Sequence, residues 1–126
     1  MSVPMDWPQQ IAAAGAAYWP LTAFNDEPFE AIFVLKNVDY TGAAFEGGVR
    51  AAFEETSPVL ETFTFTKTLL GADTVVKFTI AEADIEALRF GSDSGAIETL
   101  FYNIKCTPSG GSKSTFFAGE FKLQGA

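Results

Sequence analysis

Hydrophobic and polar residues alternate with a period of two over most of the chain beyond residue 26. In "EPFEAIFVLKN" (27–37), Phe29, Ala31, Phe33 and Leu35 share one face while Ile32 and Val34 occupy the other. The middle of this predicted strand is therefore apolar on both sides, which places it at the centre of a sandwich or beneath another chain. "FEGGVRAAF" (45–53) sets Phe45, Val49 and Phe53 against Glu46, Arg50 and Glu54, a half-buried strand. Gly47 and Gly48 in its first half mark a bulge or a close backbone contact. "LETFTFTK" (60–67) turns Phe63 and Phe65 inward and its threonines outward, and "TVVKFTI" (74–80) turns Val76, Phe78 and Ile80 inward. With "LLGAD" (69–73) as the turn between them, these two segments are expected to pair as an antiparallel hairpin. "AIETLFYNIKC" (96–106) and "STFFAGEFKL" (114–123) are the last two strands, joined by the flexible turn "TPSGGSK" (107–113).

The period changes once. Thr79 to Glu82 spells T-x-x-E, a capping box, and "AEADIEAL" (81–88) follows as one or two helical turns. Ile85 and Leu88 share a face, acids crowd the first half, Arg89 lies near the end and Gly91 is a plausible stop. Between the first two strands, Asp39 and Thr41 can bond local backbone groups and Gly42 can take a positive φ, so the chain reverses there. The sum is a mainly all-β chain: an antiparallel β-sandwich of immunoglobulin-like size, with about six to eight strands and one short helix near 81–89.

Residues 1–26 stand apart. They carry four prolines and an Ala-rich patch, and read as an N-terminal arm, partly helical from Pro8 or extended, that docks on this subunit or a neighbour. Residues 27–126 form the β-sandwich domain. The apolar part of the arm is too short and weakly hydrophobic for a signal peptide or a membrane span.

Composition narrows the function. Hydrophobic residues at 48% against 19% charged indicate a globular domain, and thirteen Phe suit pleated, half-buried surfaces. The net charge is −8, and the eight basic residues all lie at or after Lys36 with no two adjacent. No basic patch is available to displace counterions, so neither nucleic acid nor an anionic membrane is expected as a partner. The acidity serves solubility or attraction to a basic partner. A single cysteine, Cys106, excludes an intrachain disulfide, and its alternation with Leu100, Tyr102 and Ile104 makes it a core residue. The absence of histidine removes Ser-His and Cys-His catalysis and the usual zinc sites.

The remaining candidate chemistry reads as structural. Glu54 and Glu55 are adjacent and Glu82, Asp84 and Glu86 cluster, but the cluster alternates around a helix N-terminus and reads as a solvated, dipole-compensating face. "GSDSG" (91–95) lacks the spacing of a calcium loop, and "SGGS" (109–112) lacks the Lys-Ser/Thr and the helix of a phosphate loop. No catalytic residue, metal or other cofactor is therefore expected. Trp7, Tyr18, Trp19 and Tyr40 are candidates for stacking on a sugar, and equally for anchoring the arm. With Arg50, these four are the candidate contact residues.

The order of these elements carries a resemblance. Asp39-Tyr40-Thr41-Gly42 precedes "FEGGVRAAF"; then come a Thr/Phe hairpin, "TIAEADIEAL" (79–88), Tyr102-Asn103-Ile104, and a closing Gly119–Leu123 "GEFKL". Over roughly residues 27–125 this resembles small β-sandwich proteins of tailed bacteriophages and prophages, especially the N-terminal domains of upper-baseplate and tail-fibre proteins. There, "D-L-T-G" precedes a strand ending in Arg, and the chain closes on "G-x-F-x-V". This chain departs by Tyr40 in place of Leu, by its arm, and by the lack of a long C-terminal extension for receptor binding. The resemblance implies a non-enzymatic structural or assembly subunit of a phage or prophage tail, located in the virion or in the host cytoplasm during assembly. It implies self-association and contacts with other virion proteins, without a small-molecule ligand. The alternative is a small carbohydrate- or ligand-binding β-sandwich module.

Overall fold

The computed structural model describes residues 16–24, 27–51, 58–88 and 97–124. They form two sheets and one short helix, a sandwich-like β fold. The larger sheet contains β1 (Ala17–Tyr18), β2 (Leu21–Phe24), β4 (Ala44–Arg50), β5 (Val59–Thr62), β8 (Ile97–Thr107) and β9 (Ser114–Gln124). Its order is β9-β8-β4-β5, with β1 and β2 both lying parallel to β9 along its free side. The smaller sheet is β3 (Phe29–Leu35), β7 (Asp73–Ile80) and β6 (Thr64–Leu70), with β7 in the middle and both neighbours antiparallel to it. Helix α1 (Glu82–Ala87) connects β7 to β8.

The alternation that predicts these strands also fills the space between the sheets. Phe29 and Phe33 of β3, Val76, Phe78 and Ile80 of β7, Val49 of β4, Leu100, Tyr102 and Ile104 of β8, and Phe121 and Leu123 of β9 are all buried in one core. Phe78 lies at its middle. Its ring is within 6.1 Å, centroid to centroid, of Trp19, Phe29, Phe33, Phe63 and Phe65. Edge and tilted arrangements of this kind add to the apolar area each ring removes from water. Ile85 and Leu88, on or beside α1, close one end of the core, and Cys106 is fully buried as its place in the alternation predicts.

Three expectations are corrected. "LETFTFTK" is two strands rather than one. β5 pairs with β4 in the larger sheet and β6 with β7 in the smaller, and the chain changes sheet at Phe63. Phe63 still donates its N–H to the Gly47 carbonyl (3.0 Å) while its ring joins the core. The inner faces of both sheets point at one core, so Phe63 and Phe65 are both inward although the sheet changes between them. The turn of "LLGAD" is correspondingly shorter: Leu69 and Leu70 belong to β6, and Gly71 takes the positive φ of 65°. The second correction concerns the helix. Thr79 stays in β7, paired with Glu30 and Thr64, and the first helical carbonyl is that of Ala81, which accepts from Asp84 and Ile85. Thr79 is thus no N-cap. Arg89 and Gly91 lie outside the described residues.

The third correction concerns the reversal between β3 and β4. Its left-handed residue is Asn37 (φ 56°), not Gly42. The reason is a set of bonds to the start of β7. The N–H of Asn37 donates to Asp73 Oδ1 (2.8 Å), and Lys36 Nζ bonds Asp73 Oδ2 (3.0 Å). The buried Thr74 hydroxyl donates to the Val38 carbonyl (2.7 Å) and accepts from the Tyr40 N–H (2.8 Å). The expected Asx turn is present: the N–H and hydroxyl of Thr41 both donate to Asp39 Oδ1 (3.0 and 2.6 Å). The Ala43 N–H then closes onto the Tyr40 carbonyl (3.0 Å).

Residues 17–24, part of the arm by composition, are extended strands of the larger sheet. Trp19 and Pro20 interrupt β1 and β2, yet Trp19 remains bonded, its N–H donating to the Ala118 carbonyl (3.0 Å) and its own carbonyl accepting from the Tyr102 hydroxyl. The approach is close because residue 119 is glycine: a Cβ there would sit 2.8 Å from the Trp19 carbonyl oxygen. The predicted helix from Pro8 falls mainly outside the described residues. No helix among the described residues is long and apolar enough to cross a membrane.

Two outcomes follow. Gly119→Ala should destabilise the fold by about 1–3 kcal/mol in urea unfolding, because the added methyl meets backbone. Gly42→Ala, with nothing within 4 Å of the new methyl and no left-handed φ, should stay within about 0.5 kcal/mol of the parent. Asp73 is held below the ordinary carboxylate pKa, first by the Asn37 N–H and then by Lys36. A depressed folded pKa contributes stability that is complete above the unfolded value of about 4 and is lost as pH falls through the folded value. Asp73→Asn should therefore lower stability at neutral pH and leave a shallower loss between pH ~4 and ~2, read from unfolding midpoints across that range.

Candidate functional site

The outer face of the larger sheet is where the predicted strand faces bring polar side chains together. Alternation sends Glu46, Gly48 and Arg50 of β4 outward, and the antiparallel register sets Lys105 opposite Glu46 and Asn103 opposite Gly48. β5 adds Val59 opposite Arg50 and Thr62 opposite Gly48. These residues, with Gly47 and with Lys113 from the β8–β9 turn, line an open groove of about 180 Å³. Gly48 gives it depth: a Cβ there would meet the Glu61 carbonyl oxygen and come within 2.7 Å of Val59 Cγ1. The register between β4 and β5 shifts at Val49/Arg50, which bends the groove at the Arg50 end.

Three cations (Arg50, Lys105, Lys113) and one carboxylate (Glu46) line this groove, a local balance opposite to the net −8 of the chain. Glu46 and Lys113 form an ion pair with both side chains about half exposed. Small-molecule sites are generally enclosed clefts of roughly 300–1,000 Å³. This groove is smaller and open, and it suits the side chain of a partner protein, an acidic one by charge.

The candidate contact residues do not converge on it, apart from Arg50. Trp7 lies outside the described residues. Trp19 packs edge-on against Phe78 (5.7 Å) and Phe117 (5.3 Å), so its ring serves the core. Tyr40 stacks beside Phe116 at 6.3 Å and 27°. Tyr18 lies at the other end of the sheet, where its hydroxyl donates to Glu120 Oε1 (2.7 Å), with Lys122 3.7 Å from the other carboxylate oxygen. Trp19 and Tyr40 thus have partners within this chain, and the arm's aromatic anchor is intramolecular at Trp19.

Titratable groups complete the picture. The hydrogen bond to Glu120 raises Tyr18 to about 12, with burial and the Glu120 charge acting in the same direction. Burial pushes the Tyr102 phenol up as well. Burial also raises the Cys106 thiol against the opposing pull of Lys67, leaving a protonated, inaccessible sulfur. Burial and then the Asp84 carboxylate raise Glu61, but Asp84 is exposed on α1 and the two frame no cleft. Among the described residues no group of three or more Cys, Asp or Glu could hold a metal ion. Glu54, Glu55 and the "GSDSG" loop lie outside them. Sequence reasoning missed Asn103, Lys105, Lys113 and Thr62 as groove residues. Their outward parity was readable, but the register that places them around Arg50 is a long-range property.

The Tyr18 bond is directly measurable. A phenol whose folded pKa is raised contributes stability that is present below the unfolded value of about 10 and is lost as pH rises through the folded value. Absorbance at 295 nm should show one phenol ionising near pH 12 in the parent and missing from Tyr18→Phe. That variant should lose about 1 kcal/mol at neutral pH, less if solvent replaces the bond.

No model of a protein family matches this chain, and no curated protein matches it.

Proposed function

We propose that this chain is a non-enzymatic structural subunit of a phage or prophage tail, acting through contacts with copies of itself and with other virion proteins. The observation that carries this reading is the surface. It offers strand edges, exposed apolar side chains such as Ile32, Val34 and Leu70, and a shallow open groove. These are features of a protein that meets proteins. The sequence adds the absence of histidine, and the fold adds a buried Cys106, so neither supplies an activated nucleophile. The strand order agrees with this reading. An N-terminal strand lies parallel to the last strand of a β9-β8-β4-β5 sheet packed on β3-β7-β6, an immunoglobulin-type arrangement. The motifs that resemble tail proteins fall on structurally meaningful positions: Asp39–Gly42 is the tied reversal, and Gly119 is the close approach to Trp19.

A carbohydrate-binding module is the rival reading, and the packing of Trp19 weakens it. A Trp19→Ala variant would lose core contacts before it lost a sugar.

The test is solution mass. Light scattering across a concentration series should give a defined multiple of 13.5 kDa. A 13.5 kDa species at every soluble concentration, combined with selective glycan binding, would overturn the assembly reading in favour of the rival.

A further inference from the structure

The two sheets have four edges among the described residues, and three of them carry a device that blocks pairing with another chain. β1 and β2 are interrupted at Trp19 and Pro20. β5 has four residues and a register shift against β4. β6 carries Lys67, which points inward and donates to the Ala43 carbonyl. β3 differs. It runs seven residues in unbroken register with β7, with no proline, lysine or bulge between Phe29 and Leu35, and β7 is its one strand neighbour among the described residues.

The outward face of this open edge has a pattern. It reads Glu30, Ile32, Val34, Lys36, with Ile32 50% and Val34 46% exposed. Reversed, the order is Lys, Val, Ile, Glu. An antiparallel copy centred on Phe33 therefore sets Glu30 opposite the second Lys36 and Ile32 opposite the second Val34, each twice. Centring on Ile32 instead sets Glu30 against Val34, and centring on Val34 sets Ile32 against Lys36. The charges thus select one register. Both ends keep capacity for it. Lys36, although bound to Asp73, is 75% exposed, and Glu30 is 57% exposed with only a 3.9 Å approach to Lys77.

We propose that two copies of this chain join along β3, antiparallel and centred on Phe33, to make one continuous six-stranded sheet β6-β7-β3-β3-β7-β6. Resting on the assembly reading above, this names its first contact. The twofold arrangement buries Ile32 and Val34 of both copies side by side and leaves the groove of the larger sheet open to a different partner.

The test is a charge swap on the full chain, read by light scattering. Glu30→Lys and Lys36→Glu should each give monomer, since each sets like charges opposite each other, with far-UV circular dichroism unchanged because both positions are on the surface. Mixing the two variants should restore dimer as a heterodimer, and the double variant should dimerise by itself. Single cysteines give the register: Ile32→Cys mixed with Val34→Cys should form a disulfide dimer faster than either variant alone. If both single charge variants assemble like the parent, the β3 edge is wrong while the assembly reading stands. If the parent is monomeric and its Phe29–Leu35 amides on the outer edge resist hydrogen exchange, the edge is covered by the chain itself and the dimer is overturned. A monomeric parent with those amides exchanging freely overturns both.

Discussion

The packing of one side chain, Phe78, is the constraint to which the rest of the structure answers. It projects from the middle of β7, the only strand of the smaller sheet with a neighbour on each side among the described residues, and it is fully buried. The five rings around it come from the β1–β2 junction (Trp19), β3 (Phe29, Phe33), the crossing point between sheets (Phe63) and β6 (Phe65). Each segment that contributes a ring is thereby fixed in distance from β7. A chain of 126 residues has little core to spare, and concentrating it in interlocked aromatic rings gives large burial for few residues. The bonds from Thr74 and Asp73 to the 36–40 reversal tie the same strand to the β3–β4 connection. β7 thus orders its sheet through its side chains and the adjoining loop through its first two residues.

The open edge at β3 follows from where the N-terminal segment goes. Residues 17–24 could flank either sheet, and they flank β9. Trp19 decides this. Its ring reaches Phe78 and Phe117 while its backbone bonds Ala118 and Tyr102, and Gly119 removes the side chain that would keep it away. The larger sheet is thereby extended along β9, and the smaller sheet keeps β3 as an edge.

Much of this was legible in the chain, for a definite reason. In a sandwich the period-two pattern reports which side chains face the core, and Phe29, Phe33, Phe63, Val76, Phe78, Leu100, Tyr102, Phe121 and Leu123 all face it as read. Cys106 and the Ile85/Leu88 face were readable in the same way. Parity carries no information about which sheet a strand joins, and so β5 and β6 read as one strand until the crossing at Phe63 separated them. Local motifs misled where a tertiary bond competed. Asn37 took the left-handed position because Asp73 captures its N–H, and Thr79 remained in the sheet because its partners Glu30 and Thr64 extend that far. The groove was invisible in part because Arg50, Lys105 and Lys113 are distant in sequence and only register unites them. The two-sided apolar character of 29–35, by contrast, was readable from the start. Its second face, Ile32 and Val34, is exposed on the outside of the sheet.

An exposed apolar edge on a small β protein is ordinarily a route to uncontrolled association, since strand edges template one another without limit. What distinguishes closure from growth is symmetry. A contact between two unlike edges repeats head to tail and yields a filament, whereas a contact between two like edges about a twofold axis uses both and ends. The Glu30–Lys36 order is self-complementary only in the second sense. It matches a reversed copy of itself, while β6 and β5 are each spoiled for continuation by Lys67 or by the register shift. The same charges that fix the register therefore limit the assembly to a pair. The groove on the opposite sheet stays accessible, so a pair so formed can be built into a larger particle through a second, chemically different contact.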